Sequence, residues 1–308
     1  MASYNSNKTV LVTGGSGQIG SELKLISSII GINFLFPNSN EFNLFVTEDI
    51  MSYCNKIKPD LIINLGAYTD VDNAEVEQEK ASLINHHAVS QLGKYSLENN
   101  IGLIHFSTDY VFGNNKGPHK YNDLKSPINH YGLTKDFSEN DLVRINPNSL
   151  TIRLASVFSD KGKNFVKTMT NLILDSKDIN VVSDQKISLT YAGDAASLII
   201  LLISSFFLNN SFNFIKGSFF HFTNAGYTDW FSVARLIQSE VNSSEIDNES
   251  KLHAITSKEW GARAIRPNDS RLVVDNNWLS SKGMVIPSWE DRVKKVVSSI
   301  LVNRKMEL

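Results

Sequence analysis

The stretch Thr9-Val10-Leu11-Val12-Thr13-Gly14-Gly15-Ser16-Gly17-Gln18-Ile19-Gly20 decides the fold. Thr9–Val12 is β-branched or apolar throughout and predicts a strand that runs straight into a glycine-rich turn. Ile19, Leu23, Ile26 and Ile30 then recur at helical spacing, with Gly31 as the stop. Gly14 permits a tight turn, Gly17 lets backbone approach a diphosphate, and Gly20 lets the helix pack on the sheet. The start of that helix offers free N–H groups and partial positive charge to phosphate. Strand, turn and amphipathic helix in this order predict a dinucleotide-binding unit. No Lys-Ser or Lys-Thr follows the turn, which disfavours an NTPase phosphate loop.

The same rhythm continues outward. Asn33–Phe36, Asp60–Asn64, Leu103–Ser107 and Ser149–Arg153 read as strands, with helices over Glu48–Lys56, Asp72–Asn99 and Asn129–Val143 between them. Strands alternating with helices imply βαβ units with right-handed crossovers. The fold class is therefore α/β, a doubly wound parallel sheet of the Rossmann type. Residues 1–155 are expected to bind the dinucleotide, with a strand near 217–223 returning to the sheet. Residues 156–308 are expected to form, mostly, a smaller and mainly helical substrate-binding lobe, interleaved with it over the C-terminal edge of the sheet. The loop 242–250 is rich in Ser, Asn and acids and reads as solvated.

Composition narrows the class further. At 308 residues the chain suits about two domains by the usual ~150 residues each. Its 42% hydrophobic content is enough to bury a sizeable core. Thirty Lys+Arg against 32 Asp+Glu argue against nucleic-acid binding through a broad basic field. A single cysteine, Cys54, excludes an internal disulfide and fits the cytoplasm. The seven histidines are scattered, and the adjacent His86 and His87 should point in different directions, so no metal site is expected. The apolar run Leu198–Leu208 reads as a buried helix too short to cross a bilayer, so no membrane partner is expected. The opening MASYNSNKTV lacks the pattern of a signal peptide.

The chemistry gathers in two segments. In Tyr131-Gly132-Leu133-Thr134-Lys135 the first and last residues are four apart, on one helical face. An unperturbed tyrosine, near pKa 10, is a poor proton exchanger at neutral pH. A lysine ammonium close by, with a positive nicotinamide ring, would stabilise tyrosinate and lower that value. Lys135 would also hold the nicotinamide ribose. The fourth strand ends in Ser107-Thr108-Asp109, where a hydroxyl, of Thr108 or of Ser107, can polarise a carbonyl. Beyond the second strand, Phe36-Pro37-Asn38-Ser39-Asn40-Glu41 offers no Arg for a 2′-phosphate and only a late acid for a 2′-hydroxyl. NADPH and NADH both stay open.

The T-G-x-x-G-x-x-G turn resembles that of extended short-chain dehydrogenase/reductases. Further motifs resemble the dTDP-4-dehydrorhamnose reductase family over nearly the whole chain: Ser107-Thr108-Asp109-Tyr110-Val111-Phe112, Ala67-Tyr68-Thr69-Asp70-Val71-Asp72-Asn73-Ala74-Glu75 and Arg266-Pro267-Asn268-Asp269-Ser270-Arg271-Leu272. The resemblance implies an NAD(P)H-dependent reductase of a nucleotide-linked 4-keto-6-deoxysugar, most often dTDP-linked. Hydride would go to C4, Tyr131 would donate the proton and Thr108 would orient the carbonyl. It places Gly14, Gly17, Gln18, Ile19, Gly20, Asn43, Leu44, Gly66, Ala67, Tyr68, Tyr131 and Lys135 against the cofactor. It places Thr69, Val71, Thr108, Asp109 and Ser156 near the sugar, and Arg263, Arg266 and Arg271 where a guanidinium could pair with the diphosphate. Ser156 stands where the family usually carries Trp, and Lys186-Ile187-Ser188-Leu189 replaces the family's Gly and Pro after Asp184-Gln185. Glu22 matches a position linked to magnesium-assisted dimerisation in some members; a homodimer stays open. An epimerase or dehydratase of the same superfamily is a weaker reading, because a dehydratase wants Glu where Tyr110 stands. A non-catalytic regulatory subunit, like the β subunit of methionine adenosyltransferase, is the reading from another class.

Overall fold

The alternating apolar strands assemble as their patterning requires. In the computed structural model, which describes residues 8–209, 211–212, 218–244 and 249–307, six strands form one sheet. They are β1 (Thr9–Thr13), β2 (Asn33–Leu35), β3 (Leu61–Asn64), β4 (Gly102–Thr108), β5 (Leu150–Leu154) and β6 (Phe219–His221), all parallel, in the order β2-β1-β3-β4-β5-β6. The helices are α1 (Gln18–Ile26), α2 (Glu48–Ile57), α3 (Ala88–Glu98), α4 (His130–Ile145) and α5 (Ala192–Asn209). Both faces of the sheet are covered, which is why its inner strands read as unbroken apolar runs. On one face Val10, Val12, Ile63, Ile104 and Ile152 pack against Leu23 of α1 and against α5. On the other Leu11, Ile62 and Leu103 meet Ile50 and Cys54 of α2, Val89 and Leu92 of α3, and Leu142 of α4. The returning strand is shorter than predicted, Phe219–His221, and pairs with β5.

Three expectations need correction. The helix read over 72–99 is interrupted. Asp70 caps a short helix, Val71–Ala74, a second covers Gln78–Ser82, and a π turn at Leu83–His87 precedes α3. The π turn holds Asn85 fully buried, with its amide bonded to the backbone N–H and C=O of Tyr68 at 2.8 and 3.0 Å. The His86 and His87 rings lie only 4.7 Å apart, with His86 turned to Asp141 at 2.8 Å. The run at 198–208 belongs to α5, whose 18 residues are long and apolar enough to span a membrane; here 56% of the helix is buried, packed against α1.

The lobe is mainly helical. Its core joins the helices Phe165–Leu174, Trp230–Asn242 and Trp289–Glu307. Three two-stranded pairings surround them: Asp178–Val182 with Lys251–Ile255, Lys186–Ile187 with Thr228–Asp229, and Val157–Phe158 with Thr190–Tyr191. Residues 1–7, Gly217 of the predicted returning strand and 245–248 of the loop read as solvated lie outside the described residues.

Candidate active site

Strand order reverses between β1 and β3, the place where open α/β sheets leave a crevice at their C-terminal edge. The loops that meet there are the glycine turn and Leu65-Gly66-Ala67. Gly14 has φ +65°, and a Cβ on it would stand 2.6 Å from the Gly66 nitrogen. A Cβ on Gly20 would stand 2.6 Å from the Gly14 carbonyl oxygen, so that glycine packs the helix onto its own turn. Leu44 closes over Gly66, while Asn43 spends its Oδ1 on the Phe45 N–H. Gly17 begins α1 without a side-chain cap, and no acid lies in the first turn. This bare cradle of backbone and helix start fits a dinucleotide diphosphate. Gln18 faces the lobe: its Nε2 donates to Val157 O, and its Oε1 accepts from Ser159 and Asn164 at 3.1 and 2.9 Å.

The end of β4 and the start of α4 bring the reactive groups together. Thr108 Oγ1 donates to Asp109 Oδ1 at 3.0 Å and accepts from the Tyr110 N–H at 3.3 Å. Asn129 caps α4 by accepting from Gly132 N–H at 2.8 Å, which sets Tyr131 in the first turn. The Tyr110 ring meets the Tyr131 ring edge-on at 5.9 Å. Burial pushes the Tyr131 hydroxyl up to about 12; the Thr108 hydroxyl acts the other way, and the Asp109 charge adds to the rise. Lys135 reaches the end of β4. Its Nζ donates to Phe106 O at 2.6 Å and lies 3.2 Å from His105 Nε2, almost wholly buried. Burial pulls this amine down to about 7, against the pull of Glu139. Asp109 is also buried, its Oδ2 without a hydrogen-bond partner, and burial raises it to about 6.

Of the residues expected near a sugar, Val71 opens the short helix capped by Asp70, and Thr69 is exposed before it. Ser156, just past β5, holds a left-handed backbone at φ +43°. The two arginines of the Arg-Pro motif already have partners. Arg266 grips Asp72 at 2.7 and 3.2 Å, and Arg271 grips Asp269 with two bonds of 2.7 Å and stacks over Tyr227. Arg263 is exposed. A cavity of about 470 Å³ opens beside Tyr227, Leu272 and Met284; none of Thr108, Tyr131 or Lys135 lines it.

Residue-level reading of the sequence missed Asn85 and His105. Asn85 ties Tyr68, in the loop after β3, to Thr134 Oγ1 of α4, at 3.1 Å from the latter. His105 is the one polar side chain among the apolar residues Leu103–Phe106, and that isolation is the signal that could have found it. A fully buried pair, Arg153 and Glu139, braces α4 against β5 with bonds of 2.8 and 2.7 Å.

Residues 8–302 match the family model described as RmlD substrate binding domain. A dTDP-4-dehydrorhamnose reductase of Aggregatibacter actinomycetemcomitans is 33% identical over 291 residues, 93% of this chain and 97% of that one. Another, of Sinorhizobium fredii, is 32% identical over 96% of this chain and 98% of its own. The crystal structure of dTDP-4-dehydrorhamnose reductase from Bacillus anthracis in complex with NADP superposes with a TM-score of 0.83 at 28% identity, over 95% of this chain and 99% of that one.

Proposed function

The chain belongs to the RmlD substrate-binding-domain family, that of the dTDP-4-dehydrorhamnose reductases, and from that membership we propose that it reduces dTDP-4-dehydrorhamnose to dTDP-L-rhamnose with NADPH or NADH. The observation that carries this reading is the meeting of the Thr108, Asp109 and Tyr131 side chains at the end of β4, on the same sheet edge as the glycine cradle. When bound, the nicotinamide would supply the hydride that C4 of the sugar accepts. Gly14, Gly17, Gln18, Ile19 and Gly20 would take the diphosphate, and Asn43, Leu44, Gly66, Ala67 and Tyr68 would line the rest of the cofactor site.

Tyr131 holds a proton at a hydroxyl whose raised pKa keeps it in place at neutral pH. It gives that proton to the oxygen developing at C4. Thr108 has its one hydrogen on Asp109 and must turn it toward the carbonyl to polarise it. Asp109 Oδ2, buried and unpartnered, is an acceptor that a sugar hydroxyl would satisfy. Arg266 and Arg271 can offer the diphosphate only donors not already spent on Asp72 and Asp269. The single buried cysteine makes the cytoplasm part of the same proposal.

The test is direct. Purified protein with NADPH or NADH and dTDP-4-dehydro-L-rhamnose should lose nicotinamide absorbance. Tyr131→Phe should slow this by about 10²–10⁴-fold while still binding cofactor. Cofactor binding without turnover of this or related 4-ketosugars would sink the reductase reading and favour a non-catalytic one.

A further inference from the structure

A chain of buried polar groups crosses the sheet from the glycine turn to α4. It begins at the Gly66 N–H, which donates to Thr13 Oγ1 at 3.0 Å. Thr13 then has its own hydrogen to give, and Asn64 Oδ1 takes it at 2.6 Å, a distance typical of O–H···O contact. That fixes which end of the Asn64 amide is which. Its Nδ2 must donate to His105 Nδ1 at 3.0 Å. Burial holds His105 well below its usual pKa, so the ring is neutral. A neutral imidazole that accepts at Nδ1 carries its hydrogen on Nε2. Two groups face that hydrogen: Ser138 Oγ at 3.3 Å and Lys135 Nζ at 3.2 Å. Ser138 gives its own hydrogen to Lys135 O at 2.7 Å and is free to accept. Lys135 Nζ can accept only as the uncharged amine.

We propose that His105 is a positioning residue for Lys135: locked by Asn64 as the Nε2–H tautomer, it turns a donor toward the lysine nitrogen and biases that nitrogen toward its uncharged form. The Nε2–H has an acceptor for each state, Lys135 when the amine is neutral and Ser138 when it is charged. The charge on the lysine is thus tied, through Asn64 and Thr13, to the backbone of the loop that lines the cradle. Other groups act on the same amine. Glu139, one turn along α4, favours the charge, but Arg153 and Lys125 already neutralise it. On the side of the site, Asp109 acts on the Tyr131 hydroxyl.

The proposal rests on reading Tyr131 and Lys135 as the working pair, yet its main test needs neither cofactor nor turnover. In the full chain labelled with ¹⁵N-histidine, two-bond ¹H–¹⁵N spectra should show His105 protonated at Nε2 only, with no titration between pH 5.5 and 9; loss of the signal in His105→Phe assigns it. Asn64→Asp replaces the amide donor by an acceptor. It should flip His105 to the Nδ1–H tautomer, turn a lone pair toward Lys135 and raise the lysine titration, read from ¹³Cε-lysine, by about one pH unit or more. The alkaline limb of kcat should move up with it. An Nδ1–H tautomer in the unsubstituted protein would overturn the proposal. So would a flip in Asn64→Asp that leaves the Lys135 titration in place. Should Asn64→Asp not fold, the wild-type tautomer decides alone.

Discussion

The cradle around Gly14 and the wall formed by the residues expected near a sugar, Asp109, Ser156, Arg266 and Arg271, are built by opposite means. In the cradle the working groups are backbone, and the side chains that matter are the absent ones: no atom fits between Gly14 and Gly66. In the wall the working groups are side chains, and most are already engaged: Arg266 with Asp72, Arg271 with Asp269, Asp109 with Thr108. Backbone geometry of this kind is intolerant and general. Any dinucleotide diphosphate would meet the same N–H groups. Side-chain pairs are tolerant and particular, and a site built from them discriminates among ligands.

The sharpest way to break this contrast is Gly14→Ala. The substitution meets both a positive φ and a contact of 2.6 Å, so strain of about 3 kcal/mol and a loss of cofactor affinity of about 100-fold are expected. Titration of NADPH fluorescence with urea unfolding reads both. An intact cradle in that variant would mean that the turn is not held by close approach.

Asp109→Asn should come next, with the sign reversed on stability. Burial raises this carboxyl from 3.8 to about 6, so the folded protein binds its proton more tightly than the unfolded chain. The stability this group contributes is therefore present at low pH and is lost as pH rises from about 4 to about 6. At pH 7.5 the substitution should stabilise by up to about 3 kcal/mol, and near pH 3.5 by almost nothing. Turnover should fall, since the unpartnered acceptor is gone. Urea midpoints unchanged between the two pH values would remove the buried carboxylate from the account. Asp72→Asn is milder. It frees part of the Arg266 guanidinium at a half-exposed pair, so stability should drop by about 1 kcal/mol or less, with the effect on KM larger than on kcat.

The contrast also explains what could be read from the chain. The cradle was legible because its constraint is local: strand, glycines and helix lie within residues 9–26. Tyr131 and Lys135 were legible as a pair four apart, but not the direction in which Lys135 turns, because His105 and Phe106 come from another strand. The wall was illegible for the same reason on a larger scale. Arg266 finds Asp72 across 194 residues, and no local pattern announces that partner. The π turn was hidden because apolar periodicity over 72–99 looks continuous, whereas Asn85 is placed by its bonds to Tyr68. Placement of α5 on the sheet was likewise a matter of packing, since an apolar helix suits either core.

The smallest expected effect bears on the wall itself. Ser156 is not a glycine, yet it holds φ +43°, a region that costs a residue with a Cβ about 1 kcal/mol. Its backbone carbonyl also accepts from Thr190 N–H at 3.4 Å, a long bond that links β5 to the lobe. If the left-handed turn is imposed by that linkage, Ser156→Gly should relieve the strain and raise the stability read from urea unfolding slightly, by up to about 1 kcal/mol after the extra entropy of glycine in the unfolded chain is counted. If the serine side chain instead holds the turn, the same variant should lose stability. Ser156→Val separates the two further: a β-branched residue is the worst fit to positive φ, so it should destabilise whichever group imposes the turn, and by more than glycine could. The wall is then a strained backbone carrying engaged side chains, and the cradle a close-packed one in which glycines leave the backbone bare.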